Sequence, residues 1–581
     1  MKEQKRSKLS LVAATLFILL PLSGMPLAFA RLTGEKIPFF GMVKLFDFTT
    51  LGIIALAMIV LRAKNVCSIF QNNKLLRFTT LSGVVILIAG AIQQWLYGGS
   101  FDHLGIALFY AATPLAAAAY AAELRKSLPF AGVAGAILML WSGITSEHFT
   151  GITGNWNWTQ AMLFALLPAA ICFFSRKNFI RNTVIVTAIA IGSGMLFYPE
   201  ILSRSVLIAL PLSTVGMYIW LKFPRNSRKY CAPLLFAAAA AIPILSGICC
   251  SVSDSRIYLF RATAGLIKDH GIIGVGMERF FDFIPEYLAP EYFLAPFAAP
   301  HHPHPHNELL NIWAGFGIAG LFYFGVLFCG MLYKFPRRRF TPEKLLPFWI
   351  FFFIFLCAQT DLTGAILPGA FWMLVSTGLV FAQPSEESRE TPPAWSRIIA
   401  AILFLTALLL ASENFRSTGF LRQGRLAAVK NDAANALKFY QLSSRIKPAK
   451  ESLYGKAEVY LHAQGNYTAA LEELEKLHTV LGFDNYLHTN RIKAICLVNL
   501  RQLEAALPFI TEEVRIYPYS VINARLHLGL LEMLRRPENE IAAARRCYFE
   551  ICRKRGISPE NAAAVTMHED DQPIRAMEVK R

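Results

Sequence analysis

Residues 299–321 read APHHPHPHNELLNIWAGFGIAGL, placing four histidines and three prolines ahead of a long apolar run. The last histidine, His306, leads directly into Asn307 and Glu308. A neutral imidazole, with an ordinary pKa of about 6.5, can take the proton of a hydroxyl at neutral pH, and His306 is the best placed to do so. The alternating prolines favour extended backbone, so alternate histidines could face one way and hold a metal. Yet no cysteine accompanies them, and Glu291 and Glu308 do not lie at a ligand spacing. His301, His302 and His304 therefore read as a solvated, proline-stiffened approach to the apolar run, and neither a metal nor another cofactor is expected. Four arginines supply the complementary chemistry: Arg204, Arg256, Arg261 and Arg279. Arginine costs roughly 2.5–3.5 kcal/mol at the centre of a membrane helix. Its planar fork binds phosphate oxygens in pairs and stays charged, which gives a functional reason to carry that cost. The competing reading is that these side chains snorkel to headgroups or lie in a solvated loop. The glycines of GIIGVG (Gly271, Gly274, Gly276) have neither phosphate-loop spacing nor a following Lys-Ser/Thr, and read as turn residues.

The elements that must hold these residues are apolar. Of 581 residues 55% are hydrophobic and 17% charged, a membrane-protein composition. A bilayer core about 30 Å thick needs roughly 20 apolar residues per helix, and about thirteen stretches approach that length. They fall near 9–30, 47–63, 78–97, 103–122, 129–148, 158–174, 182–199, 205–221, 231–250, 308–332, 345–360, 364–382 and 397–411. The first has a basic start and ends in Ala28-Phe29-Ala30; we read it as an uncleaved helix in preference to a signal peptide. Lys and Arg cluster in alternate connections, while those near 97–102, 145–157 and 360–364 carry none. The positive-inside rule then puts the N-terminus inside and the last named connections outside, where Asp361 is the one carboxylate of its loop. This pattern accounts for much of the net charge of +18, so no nucleic-acid partner is needed. Basic loops instead mean orientation and contact with membrane lipid. The ten cysteines form no C-x-x-C pair, and Cys249, Cys250, Cys496, Cys547 and Cys552 could form disulfides if exported.

Two segments escape the hydrophobic pattern: an outer loop over 251–306 and a tail over 412–581. An odd number of spans puts both outside. In the tail, YGKAEVYLHAQGNYTAALEELEKL aligns with NRIKAICLVNLRQLEAALPFITEE at an offset of 36. An earlier unit fits at 34, bringing Ala436, Ala470 and Ala506 to one small-residue position, with Pro448 and Pro518 closing units. A degenerate fourth unit falls around ARLHLGLLEML. The pattern resembles tetratricopeptide repeats, helical hairpins of period 34 that serve as binding surfaces. A generic helical tail is the competing reading.

The loop carries a further resemblance. It opens on Ser255-Arg256, passes through DHGIIGVGMERF and closes on His306-Asn307-Glu308-Leu309-Leu310 with GFGIAGL shortly after; LSRSVLIALPLS lies upstream. In that order the chain resembles the O-antigen ligase and O-antigen polymerase superfamily of polytopic glycosyltransferases, which includes the bacterial protein O-oligosaccharyltransferases. The likeness covers about residues 10–410 in helix number and loop placement, and is sharp only over about 251–321.

The resemblance implies transfer of a preassembled glycan from a polyprenyl diphosphate carrier to an acceptor hydroxyl at the outer face of a bacterial inner membrane. Under it Arg204 and Arg256 hold the diphosphate and His306 activates the acceptor. Arg261, Arg279, Asn307 and Glu308 contact substrate. The acceptor is lipid A-core for a ligase, with polymerase and protein O-oligosaccharyltransferase as alternatives; the tail could recruit a protein partner. The expected fold is all-α: a polytopic bundle of about 12–13 spans over 1–411, with the catalytic loop at 251–306 and a helical-repeat domain over 412–581 outside the membrane. Two readings of other classes remain open, a transporter and a non-catalytic membrane scaffold. Against the first, the spans contain few acidic residues for coupling ions and show no clear inverted repeat.

Overall fold

The computed structural model describes residues 14–22, 47–97, 102–145, 155–175, 177–197, 203–249, 255–277, 279–294, 302, 304–336, 341–359, 361, 363–364, 366–382, 392–481, 486–558 and 561. Most of the first expected span, His301, Arg176, Arg337, Arg338, Arg339, Cys250 and most of the connections near 97–102 and 145–157 lie outside the described residues. Among those described every regular element is helical. Among the described residues six helices are long and apolar enough to cross a membrane: Lys74–Tyr97, Ala121–Ile144, Asn157–Phe174, Asn226–Leu245, Glu308–Lys334 and Ala394–Val429. This is fewer than the thirteen expected, although the remaining apolar stretches also fall on helices. Phe48–Leu61 bends by 86° into Ala63–Asn72; the further apolar helices Asp102–Ala119, Phe179–Phe197 and Arg204–Lys222 have 18, 19 and 19 residues, and Leu367–Phe381 has 15. A span needs roughly 20 residues, with a range of about 17–25, so of these only Leu367–Phe381 is short. Apolar composition counts residues and is blind to a bend such as the one after Leu61.

The chain divides into two compact units. The first comprises Met1–Ile92, Phe101–Ala240 and His306–Thr418. Without a hydrophobic drive between helices inside lipid, packing relies on close backbone approach. A Cβ on Gly105 would lie 2.0 Å from Thr49 Oγ1, so the Phe48–Leu61 and Asp102–Ala119 helices meet there with no room for a side chain. Glu308–Lys334 is broken at Gly317, whose φ of 64° and ψ of −153° are open to glycine alone. Gly320 follows one turn later on the same helix. Its Cβ would meet Phe316 and the Ile312 carbonyl of that helix, so it serves the kink.

The second unit comprises Gln93–Ser100, Ala241–Pro305 and Gly419–Arg581. The expected loop is partly helical: Ser255–His270 forms a 16-residue helix, followed by Phe280–Phe283 and two 3-10 turns. Gly274 and Gly276 have φ of 81° and 96°, and Gly274 N donates to His270 O, so these glycines do turn the chain at the helix end. The tail is a succession of helices, Ala433–Ile446 through Glu538–Lys554, each packed on the next. Ala436, Ala470 and Ala506 are fully buried between neighbouring helices. Left-handed residues end alternate helices at Asn431, Gly465, Arg501 and Arg535, spaced by 34, 36 and 34. After three of them the next N–H bonds five residues back: Asp432 to Ala427 O, Gln502 to Leu497 O, Arg536 to Leu531 O. At Gly465 the bond runs six back, from Asn466 to Tyr460 O, because Tyr460–Gln464 is a π-turn that absorbs one extra residue. Cys496, Cys547 and Cys552 are free thiols, so none of the disulfides considered for the tail is formed among them.

Candidate functional site

In the first unit three helix N-termini are tied to one turn. Asn155 caps Trp156–Phe174, Ser203 caps Arg204–Lys222 and Asn307 caps Glu308–Lys334, each through a side-chain oxygen that accepts a backbone N–H of the first turn. A capping residue ahead of an apolar run is what a helix start requires, since its first N–H groups have no partner inside the helix. The turn follows Pro342–Cys357 and runs to Gly364. Glu308 N donates to Ala358 O at 2.9 Å, and Asn307 Nδ2 donates to Gln359 O at 3.1 Å and Gln359 Oε1 at 3.2 Å. Cys357 Sγ lies 4.0 Å from Ser205 O. Ser203 N donates to Gln160 Oε1 at 2.9 Å, and Trp158 Nε1 to Asp361 Oδ1 at 3.2 Å. The helices of Arg204 and His306 are thus held by the same few residues.

The side chains in this layer differ in access. Arg204 is exposed and His306 half-buried, whereas Asn307, Glu308 and Asp361 are buried. His306 has a φ of 55°, in the left-handed region, where histidine is rare but over-represented among non-glycine residues. A strained residue held in place by its neighbours is a signature of a functional position. Glu308 is fully buried, faces Asn311, and its side chain leaves no room for a Cβ on Gly364, which would come within 3.0 Å of Glu308 Cγ. Each helix N-terminus carries about half a positive charge, and the layer also holds the carboxyls of Glu308 and Asp361.

In the second unit Arg256 and Arg261 are exposed on Ser255–His270. The Arg261 guanidinium lies 5.7 Å from the Tyr258 ring centroid; Tyr258 meets Tyr292 edge-on, and Tyr292 Oη bonds His302 Nε2. His302 is therefore half-buried against an aromatic pair and His304 is buried, which corrects their reading as solvated. The sequence showed only the histidines and prolines, and nothing in it predicted Tyr292 as a partner. Arg279 is buried, with Nη1 on Tyr97 O at 3.0 Å and Nη2 on Leu481 O at 2.5 Å, and its guanidinium 5.6 Å and 5.4 Å from the Tyr97 and Phe283 ring centroids. Two donors of its fork are committed to backbone, so Arg279 fastens the loop to the tail rather than presenting a free fork. Beside it Asp282, buried, pairs with Lys450 at 3.3 Å, and Phe281 packs on Tyr486.

Of the expected site residues, then, Arg204, His306, Asn307 and Glu308 belong to the first unit, and Arg256, Arg261 and Arg279 to the second. Sequence reasoning missed Gln160, Ser203, Gln359 and Trp158, which tie the layer together. Ser203 and Asn307 carried a signal, since each is a capping residue just ahead of an apolar helix. Among the described residues no cluster of three or more His, Cys, Asp or Glu could hold a metal ion. No family model matches the chain, and no curated protein matches it.

Proposed function

We propose that the chain is a membrane glycosyltransferase of the O-antigen ligase kind, moving a glycan from a polyprenyl diphosphate to an acceptor hydroxyl at the outer face of a bacterial inner membrane. The observation that carries the reading is the layer in which three capped helix N-termini, the exposed Arg204 and the strained His306 are held by one turn. Anion-favouring helix ends and arginine suit a diphosphate leaving group, which is already ionised and needs neutralisation rather than a general acid. His306 suits the acceptor. Its imidazole takes the hydroxyl proton as the acceptor oxygen bonds to the anomeric carbon, while the old C–O bond breaks and its electron pair leaves on the diphosphate. One displacement inverts the anomeric configuration, and a retained configuration would rule the one-step scheme out. On the family resemblance alone Arg256 is assigned the same task as Arg204, and Arg261 a contact with substrate.

A second reading, transfer to protein, is favoured by the tail: hairpins closed by left-handed caps spaced by 34, 36 and 34 residues resemble tetratricopeptide repeats, and such a surface suits a polypeptide acceptor or partner. The test is purified protein with a labelled polyprenyl diphosphate glycan, offered lipid A-core and protein acceptors separately, with and without chelator. Label should reach one acceptor class in wild type and neither in His306→Asn or Arg204→Gln. Label reaching no acceptor would leave a transporter or scaffold in its place.

A further inference from the structure

Along the first unit an apolar groove of about 670 Å³ runs between the helices Lys74–Tyr97, Arg225–Cys249 and Glu308–Lys334. On the last helix its lining extends from Ile318 to Tyr333, about 22 Å at 1.5 Å per residue. That exceeds half of a bilayer core about 30 Å thick, the depth of one leaflet. Between the two ends lie Phe236, Phe322 and Gly325, with almost no polar surface. One end is basic. Arg228 and Lys229 line it directly, Lys74 and Arg77 bracket the lining residue Leu75, and Lys334 follows Tyr333. No acidic residue occurs in 73–97, 222–249 or 309–336, so this charge is uncompensated within the three segments.

The cations are not equivalent. Arg228 is fully buried and its guanidinium serves the carbonyls of Trp220 at 2.6 Å, Phe223 at 3.3 Å and Phe335 at 2.6 Å. Arg77 serves the carbonyls of Phe70 and Gln71. Lys229 is exposed at the mouth of the groove, with its ammonium 4.7 Å from the Tyr230 ring centroid. An ammonium beside an aromatic ring at the end of an acyl-sized channel fits the phosphate of a lipid whose chain lies in the channel.

We propose that this groove is a site for an anionic glycerophospholipid, with one acyl chain along the Ile318–Tyr333 face and the headgroup phosphate on Lys229. Such a lipid is distinct from the glycan carrier. The His306 end of Glu308–Lys334 lies roughly 35 Å of helix away, so one phosphate cannot serve both ends. The inference requires that these helices cross a bilayer, and is independent of the reaction proposed above.

The test is lipid titration of the full-length protein in detergent, read as bound adducts by native mass spectrometry and as a shift in unfolding temperature. Phosphatidylglycerol should bind several-fold better than phosphatidylcholine. Lys229→Glu should remove that preference, and Val326→Trp, which fills the groove with a side chain, should remove the adduct itself. Equal binding of the two lipids by wild type, or a preference that survives both substitutions, overturns the proposal. So does a polyprenyl phosphate that displaces phosphatidylglycerol at equal concentration, since the groove would then belong to the carrier.

Discussion

At the scale of single residues His306 is the one on which two constraints meet. Its imidazole is the candidate base, and its backbone sits at a φ of 55°. Substitution by alanine would disturb both, because a left-handed conformation costs roughly 1–2 kcal/mol for an ordinary residue. Asparagine tolerates that conformation and lacks a base of suitable pKa, so His306→Asn separates the two. We expect glycan transfer to fall by about 10²–10⁴-fold with an unchanged unfolding temperature, the range lost with a general base. A matching loss of thermal stability would mean the histidine is structural. Asn307 differs: its carbonyl oxygen caps the helix and its amide reaches Gln359. Asn307→Ala should cost about 1 kcal/mol of stability from the cap alone, and any effect on transfer then acts through the placement of His306.

At the scale of elements, the tail's helical hairpins close on left-handed residues, two of them arginine. Replacing Arg501 by glycine removes roughly 1–2 kcal/mol of backbone strain and adds about 0.4–1 kcal/mol of chain entropy to be lost on folding. The first effect is larger, so Arg501→Gly should stabilise the protein slightly and Gly465→Ala should destabilise it, both read in denaturant titrations. The Asp282–Lys450 pair gives a pH signature. Burial raises the Asp282 pKa above the usual carboxylate range, and Lys450 and Arg279 offset this only in part. A carboxyl whose folded pKa exceeds its unfolded one favours the fold most when protonated. Its contribution is full below about pH 4, the unfolded pKa, and is lost as pH rises through the raised value. Asp282→Asn should remove that part of the pH dependence. Lys450→Met alone should destabilise by roughly 1–3 kcal/mol by stranding a buried carboxylate, and Asp282→Asn on top should recover most of the loss.

At the scale of the whole molecule the division into units does not follow the chain. Residues 241–305 cluster with 419–581, joined by Arg279 to Leu481, Asp282 to Lys450 and Phe281 to Tyr486. The boundary falls inside the 36-residue helix Ala394–Val429 rather than at its apolar end. A truncation after Thr418 would therefore strip the 279–287 segment of its partners as well as deleting a surface. We expect limited proteolysis to cut near 279–294 in the truncated chain and to spare that stretch in the full-length chain. Equal resistance in both would show that the segment needs no support from the tail.

Helical character, the positions of the apolar elements and the burial of a recurring small residue in the tail were legible in the sequence. These follow from local pattern: runs of apolar residues, capping residues such as Ser203 and Asn307, and a small residue recurring at Ala436, Ala470 and Ala506. The bends within the apolar elements were not, because the 86° turn after Leu61 and the break at Gly317 depend on what the neighbouring helices allow. Nor was the role of each arginine. Arg256, Arg261 and Arg279 look alike in the sequence, and only the fold shows that the first two are exposed while the third is committed to the carbonyls of Tyr97 and Leu481. Those acceptors lie about 180 and 200 residues away in the chain, and a hydrogen bond between such distant groups leaves no local pattern to read. The link between Arg204 and His306 through the 357–364 turn is of the same kind, made by tertiary packing and silent in the sequence.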